Sequence, residues 1–510
     1  MHIFSLFALS LVITCTFAVP ISTTDTTIAS GTGRLSWNSD STINPTSVPS
    51  FTRKINLLIN TQDQFWASPV IYDDLVVLAA LSNNVYLIDA NTGVVKKRVF
   101  LDIPFNAKND IPENCNDINN PFTGVLSTPV IDTSTRIVYL TSKTYKAGTK
   151  SGLKNAIWKL HALSLDTLAE QPNFPIVLSG VSNGVTFNAG LELQRTGMLL
   201  MDGKIIFGFG SYCDVGNYHG WVFAIDKVTR RQQSYALASG SGQHGGGVWM
   251  AGMGASSTVS GSFYVSSGNG FGIPTLTPTP GRKAATMPLA DSLIRFSTSS
   301  LIPQDFFTPN DTATLDAGDV DFGSGGNVLL PSQFGTSEHP NLIISAAKDG
   351  FVYVTDANDL GGFDGGAGLT NNIIQKLNVG NGGAANGIWG TPAVSPNDLM
   401  IYVASKDRPL QAFKWNGSQF VFSGATLDSL PFGMGSPLVT TTGTAVGTAT
   451  VWVNDLGNTR LVAFNGIPDG SSTLQERLSI GCNVCKFSTP VAYKGRVYVG
   501  TCDGRFNVFG

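Results

Sequence analysis

One short pattern returns along this chain: a small residue with Pro-Val, a turn, an alternation of Val, Tyr, Ile and Leu, a second turn, and another alternation ending in Asp or Asn before Thr-Gly. The best copies run from Ala67-Ser68-Pro69-Val70 to Leu87-Ile88-Asp89-Ala90 and from Ser488-Thr489-Pro490-Val491 to Phe506-Asn507-Val508-Phe509. Weaker copies start at Ser127-Thr128-Pro129-Val130, Asn188-Ala189-Gly190, Trp249-Met250-Ala251-Gly252, Gly325-Gly326-Asn327-Val328, Gly390-Thr391-Pro392-Ala393 and Gly435-Ser436-Pro437-Leu438. That makes eight starts, spaced about 60 residues apart, which leaves room for four strands of ordinary length with their loops. Alternation of period two marks each strand as half-buried β. A unit of this size cannot cover its own apolar faces, so the copies must stack around an axis, each sheet packing on its neighbours. The pattern therefore predicts an all-β fold, an eight-bladed β-propeller of four-stranded antiparallel blades. A charged fraction of 13% and 57 glycines agree with a turn-rich surface of Ser, Thr and Asn.

The two ends of the repeat predict how the ring closes. The last copy stops after its third strand at Gly510, whereas Arg53 to Asn60, with Ile55, Leu57 and Ile59 alternating, reads as a strand without a blade. The N-terminal strand is expected to complete the final blade and so pair two open edges. Residues 51–510 then form one domain. Residues 19–50 are Ser/Thr-rich with few large apolar side chains and read as a flexible lead-in. Residues 1–18 carry an apolar run and end in Thr16-Phe17-Ala18, the form of a signal peptide cut after Ala18.

No later stretch approaches the roughly 20 apolar residues of a membrane span, so the expectation is a secreted, extracellular protein. Removing the signal leaves Cys115, Cys213, Cys482, Cys485 and Cys502, an odd set for an oxidising compartment. Cys482 or Cys485 is expected to bridge to Cys502, and Cys115 with Cys213 is the remaining long-range pair; spacing alone does not fix the connectivity. A redox or zinc role for Cys482-Asn483-Val484-Cys485 lacks a partner His or second pair. A net charge of −3 supplies no basic field for a phosphate backbone, which argues against a nucleic-acid partner. Asn310-Asp311-Thr312 and Asn416-Gly417-Ser418 have the form of glycosylation acceptors.

In such a ring the loops just ahead of the inner strands line a central funnel. Here they hold Trp66, Phe187, His244, Trp249, Asp321, Trp389 and Phe487, aromatic walls with a few polar groups that suit a flat ring ligand. The acids Asp316, Asp319 and Asp321, and the run Asp356 to Gly361, fail the spacing of the usual helix-loop calcium site and read as turns.

The blade motifs resemble those of quinoprotein alcohol dehydrogenases, eight-bladed propellers that hold pyrroloquinoline quinone and a calcium ion at the axis. The segments Gly245-Gly246-Gly247-Val248-Trp249 and Ser267-Gly268-Asn269-Gly270 are similar to the family stretch whose Trp lies under the quinone and whose Asn ligates calcium. The resemblance thus implies Trp249 as the floor and Asn269 as a metal ligand. Asp319-Val320-Asp321-Phe322-Gly323 resembles the segment of the catalytic aspartate, which implies Asp321 as base and metal neighbour. Ala347-Lys348-Asp349-Gly350 is similar to the strand whose basic residue bonds the quinone, which implies Lys348. Asp214 falls near the second calcium ligand, one residue out of register, while Trp389 and His244 are further candidates to face the cofactor.

Physically these types suit one another: an indole face, an oxygen ligand for a hard cation, a carboxylate base and a cation beside quinone oxygens. The implied substrate is an alcohol or sugar. Three features depart from the family. Its adjacent cysteine pair is missing, Trp66 stands where an acid is expected, and Cys485 is followed by Lys486 rather than His, so no haem is attached and a separate electron acceptor is required. The reading from the other class is a non-catalytic propeller that binds a carbohydrate, an extracellular polymer or a protein through the funnel face.

Overall fold

The computed structural model describes residues 31–510 apart from 41, 114, 116, 117, 119, 258, 259, 275–287, 364–372, 381, 384–386 and 432–434, so the expected signal peptide lies outside the described residues. The repeat folds as its pattern requires. Blade one shows the rule, with Val70–Tyr72, Leu75–Ala79, Asn84–Asp89 and Val95–Phe100 paired antiparallel in chain order from axis to rim. Pro69 precedes the inner strand, where a missing N–H costs no ladder bond. Asp73 and Asp74 both take left-handed backbone, the conformation a two-residue hairpin turn needs. At the next corner the Asp89 carboxylate accepts the amides of Asn91 (3.1 Å) and Thr92 (3.0 Å), and Gly93 follows at φ 74°. The recurring Asp and Thr-Gly are therefore one turn device. The outer strand exposes Lys96, Lys97 and Arg98, charges that protect a free edge.

Seven further sheets complete the ring, and the last closes as expected: Val491–Tyr493, Arg496–Gly500 and Arg505–Phe509 are joined antiparallel by Arg53–Leu58. Ile55 lies against the Thr-Gly turn of blade one, so a Cβ at Gly93 would stand 2.7 Å from its Cγ2. The closing strand thus touches both blades at the seam. Between blades the apolar faces merge, as where Phe65, Leu78 and Tyr86 meet Val491, Tyr498 and Phe506.

Two blade starts differ from the sequence reading. The third inner strand is Leu199–Met201, so Asn188-Ala189-Gly190 belongs to an inserted stretch ahead of it. The fourth pairs Ser256 with Tyr264, several residues beyond Trp249, after Met250 and Ala251 adopt left-handed backbone. Asn310 and Asn416 are both exposed.

The lead-in is the larger correction. From Thr32 it runs inside the ring and bonds successive blades: Ser257 N to Thr32 O, Leu329 N to Gly33 O, Val394 N to Leu35 O, Val439 N to Ser36 O and Thr441 N to Asn38 O, at 2.7–3.0 Å. Asn38 Nδ2 reaches Ala492 O at 2.9 Å, and Arg34, with no exposed surface, donates to Ala255 O (2.8 Å) and Met198 O (3.1 Å). These residues are ordered although polar because the inner strands offer edge amides and carbonyls that otherwise lack partners. Ile43 and Val48 then enter the core between blades seven and eight.

The cysteines resolve into Cys115–Cys213 and Cys485–Cys502, with Cys482 the free, buried thiol among the described residues. No helix among these residues is long and apolar enough to cross a membrane.

Candidate functional site

The glycines ahead of blade four set the floor of the site. Trp249 lies directly on backbone, since a Cβ at Gly210 would stand 2.4 Å from its Cζ3 and one at Gly247 2.6 Å from its Cε2. Its indole Nε1 donates to Asp321 Oδ1 at 2.9 Å. The same oxygen accepts the Asn269 amide at 3.0 Å, while Asp321 Oδ2 is 2.5 Å from Lys348 Nζ. Lys348 also pairs with Asp319 at 3.1 Å. Burial pulls the Lys348 ammonium down, but Asp321 and Asp319 outweigh it and hold the group above its ordinary range.

Trp249, Asp321, Lys348, Trp389 and Asp214 line one cavity of about 190 Å³, together with Arg195, Cys213, Asp319, Ser324 and Phe487. The sequence-derived candidates from separate blades therefore converge. Asp214 is pushed up to about 6 by burial and by the nearby Asp321 charge. Asn269 sits behind the wall, 1% exposed; its Nδ2 donates to Asp319 Oδ1 at 3.2 Å and its Oδ1 is buried without a hydrogen-bond partner. Lys348 and Lys486 place their ammonium groups 5.6 Å and 5.2 Å from the Trp389 ring centroid. A second layer holds these segments: Asp291 accepts Phe322 N at 2.9 Å and Asp316 accepts Gly270 N at 2.6 Å. Burial raises both of those carboxyls, and for Asp291 the facing Asp316 adds to it.

His244 is not brought to the cavity. Its ring stacks on Phe271, with centroids 5.0 Å apart and planes at 15°, because the two residues pair in a short antiparallel ladder. Trp66, found where an acid was expected, packs on Phe487 at 6.4 Å between centroids. Cys213, bridged to the distant Cys115, lines the cavity.

Sequence reasoning missed Arg195. Its guanidinium carbon lies 4.8 Å from the Trp249 centroid and 4.1 Å from that of Phe487, and its Nε donates to Trp249 O at 3.3 Å. The signal was its place four residues ahead of an inner strand, hidden because that strand was assigned too early.

Among the described residues no three carboxylate, imidazole or thiolate groups gather to hold a metal by themselves, so a cation here would depend on the amide oxygen of Asn269. That orphaned Oδ1, beside Asp319 and Asp321, and the cations Arg195, Lys348 and Lys486 around aromatic walls fit a hard cation and a flat polycarboxylated ring in donor chemistry.

The ring defines the chain as a β-propeller of the architecture used by quinoprotein dehydrogenases. It is similar to quinohemoprotein alcohol dehydrogenase from Comamonas testosteroni, with TM-score 0.62 and 15% identity over 94% of this chain and 79% of that one. A europium-containing methanol dehydrogenase gives TM-score 0.62 and 12% identity over 94% and 96% of the two chains. BamB from Moraxella catarrhalis gives 0.53 and 12% over 90% and 99%. At these identities the likeness is one of fold. No protein-family model matches the sequence, and no curated protein does.

Proposed function

We propose that the protein is an extracellular oxidoreductase of the quinoprotein dehydrogenase type, oxidising an alcohol or sugar and passing electrons to a separate acceptor. The observation that carries this is the convergence of Trp249, Asp321 and Lys348 on one cavity, with the unpartnered Asn269 Oδ1 immediately behind. Pyrroloquinoline quinone would supply a two-electron acceptor, and a calcium ion would draw on the amide oxygen of Asn269 with the carboxylates of Asp321 and Asp214. Trp249 provides a rigid apolar floor. Asp321, 4% exposed and oriented by Trp249 Nε1 and the Asn269 amide, would take the proton from a substrate hydroxyl. Lys348 supplies its countercharge, and the aromatic rim limits water. Two disulfides support an extracellular setting.

Mixing purified protein with the quinone and calcium should leave quinone absorbance that survives desalting. Asp321→Asn should then keep the chromophore while dye reduction with alcohols falls by about a hundredfold or more. A second reading, a binding propeller without catalysis, is favoured by Asp321 having both oxygens engaged by protein groups. Loss of all absorbance on desalting selects that reading.

A further inference from the structure

A second cavity, of about 430 Å³, opens at the seam between blades seven and eight and shares no lining residue with the funnel. Blade seven contributes the corner at Cys482, just after its outer strand Glu476–Gly481. Blade eight contributes Asp503, Arg505 and Asn507, and the closing strand adds Arg53 and Asn56. The volume lies in the range of small-molecule sites, roughly 300–1,000 Å³.

Cations prevail on the wall. Arg53 is held by Gly481 O, to which its Nη2 donates, and by the Phe509 ring, 5.6 Å from its guanidinium carbon, rather than by a carboxylate. Arg505 has its Nε 3.4 Å from Asp503 Oδ2, and its Nη1 donates to Asn56 Oδ1 at 3.1 Å. Two guanidinium groups thus line the cavity with one carboxylate, and the charge left over is positive. The buried members of the lining are Cys482 and Asn507, 5% and 2% exposed, and they form its floor. Asn507 Nδ2 donates to Cys482 Sγ at 3.6 Å, while Asn507 Oδ1 has no hydrogen-bond partner. A buried amide oxygen without a donor is costly to the fold and asks for one. Arg53 and Asp503 both bear on the Cys482 thiol, in opposite senses, so they stand close to that floor.

A ligand that answers this lining carries a carboxylate for the guanidinium groups and hydroxyls for the acceptors Asn507 Oδ1 and Asp503. A neutral polyol leaves the positive charge unmatched, and a simple carboxylate leaves the amide oxygen unmatched. We propose that the seam cavity binds a small polyhydroxy acid, the class of sugar acids and uronate units, with Arg53 and Arg505 on its carboxylate and Asn507 on a hydroxyl. Such a ligand touches blade seven, blade eight and the closing strand together, so its binding also tightens the join of the ring.

The probe is sodium D-gluconate, with sorbitol as the uncharged polyol and acetate as the carboxylate without hydroxyls. Each is titrated by calorimetry at constant ionic strength into the chain lacking residues 1–18. Gluconate should bind about tenfold more tightly than either control and raise Tm as its concentration passes Kd. Arg53→Met should weaken gluconate by about tenfold, through loss of a charge-assisted pair, while Asp321→Asn in the funnel should bind it as the native chain does. Cys482 gives a readout without substitution: at pH 10, saturating gluconate should slow its alkylation by iodoacetamide about fivefold, since the ligand lies over that thiol.

No binding of gluconate, equal affinity for the three probes, equal binding by native protein and Arg53→Met, or alkylation indifferent to gluconate overturns the proposal. Binding lost in Asp321→Asn but kept in Arg53→Met puts the acid in the funnel and overturns it as well. The alkylation experiment decides alone if thermal melts show that Arg53→Met does not fold.

Discussion

Cys482 shows how a single side chain can contradict its motif. Spacing with Cys485 suggests redox chemistry, yet Cys485 is bridged to Cys502, and burial pushes the Cys482 thiol up to about 12. The thiolate is the reactive form, so raising the pKa from an ordinary value near 9 leaves about a thousandfold less of it at pH 8. Iodoacetamide should label the native protein hardly at all at that pH and gain only as pH climbs toward 12. In denaturant, the chain lacking residues 1–18 should show one reactive thiol by mass spectrometry; prompt labelling of native protein would contradict the buried position. Trp249, Asp321 and Lys348 were named together through the family resemblance, which short glycine and turn runs carry, and they line one cavity. Arg195 and Asp291 were not so named, since their importance comes from what the ring brings opposite them.

The strands were readable for the same reason that their turns were: alternation, Pro before the inner strand and Asp with Thr-Gly after the third are all local. The strand at Arg53–Leu58 was legible by subtraction, being left over when the last copy lacked a partner. Its half-buried Ile55, Leu57 and Ile59 pack on blades one and eight. Deleting residues 51–60 should cost roughly 3–6 kcal/mol at about 1–2 kcal/mol per half-buried aliphatic side chain, read as a lower urea midpoint for the entire ring. A midpoint unchanged by the deletion would show that closure does not stabilise the fold.

At the level of the assembled ring, the lead-in is where composition misled. Ser, Thr and Gly cannot build a core, but they can bond edge amides that the ring presents, and no window of sequence contains both partners. Arg34 and Ser36 are completely buried there. Removing residues 31–38 should lower Tm by about 5 °C or more, as several buried hydrogen bonds at about 1 kcal/mol each are lost. Adding the free peptide of that segment should restore part of the loss, and indifference to both would show that the thread is dispensable.

That thread reaches the far ends of the inner strands, at Leu329 and Thr441, whereas the cavity is lined by residues that precede those strands. Among the described residues the thread and the cavity therefore lie at opposite ends of the hub. For the proposed quinone enzyme, donor and acceptor would both approach the end away from the thread, and a steady-state assay with two reactants should give parallel double-reciprocal lines, the signature of visitors that never share the room.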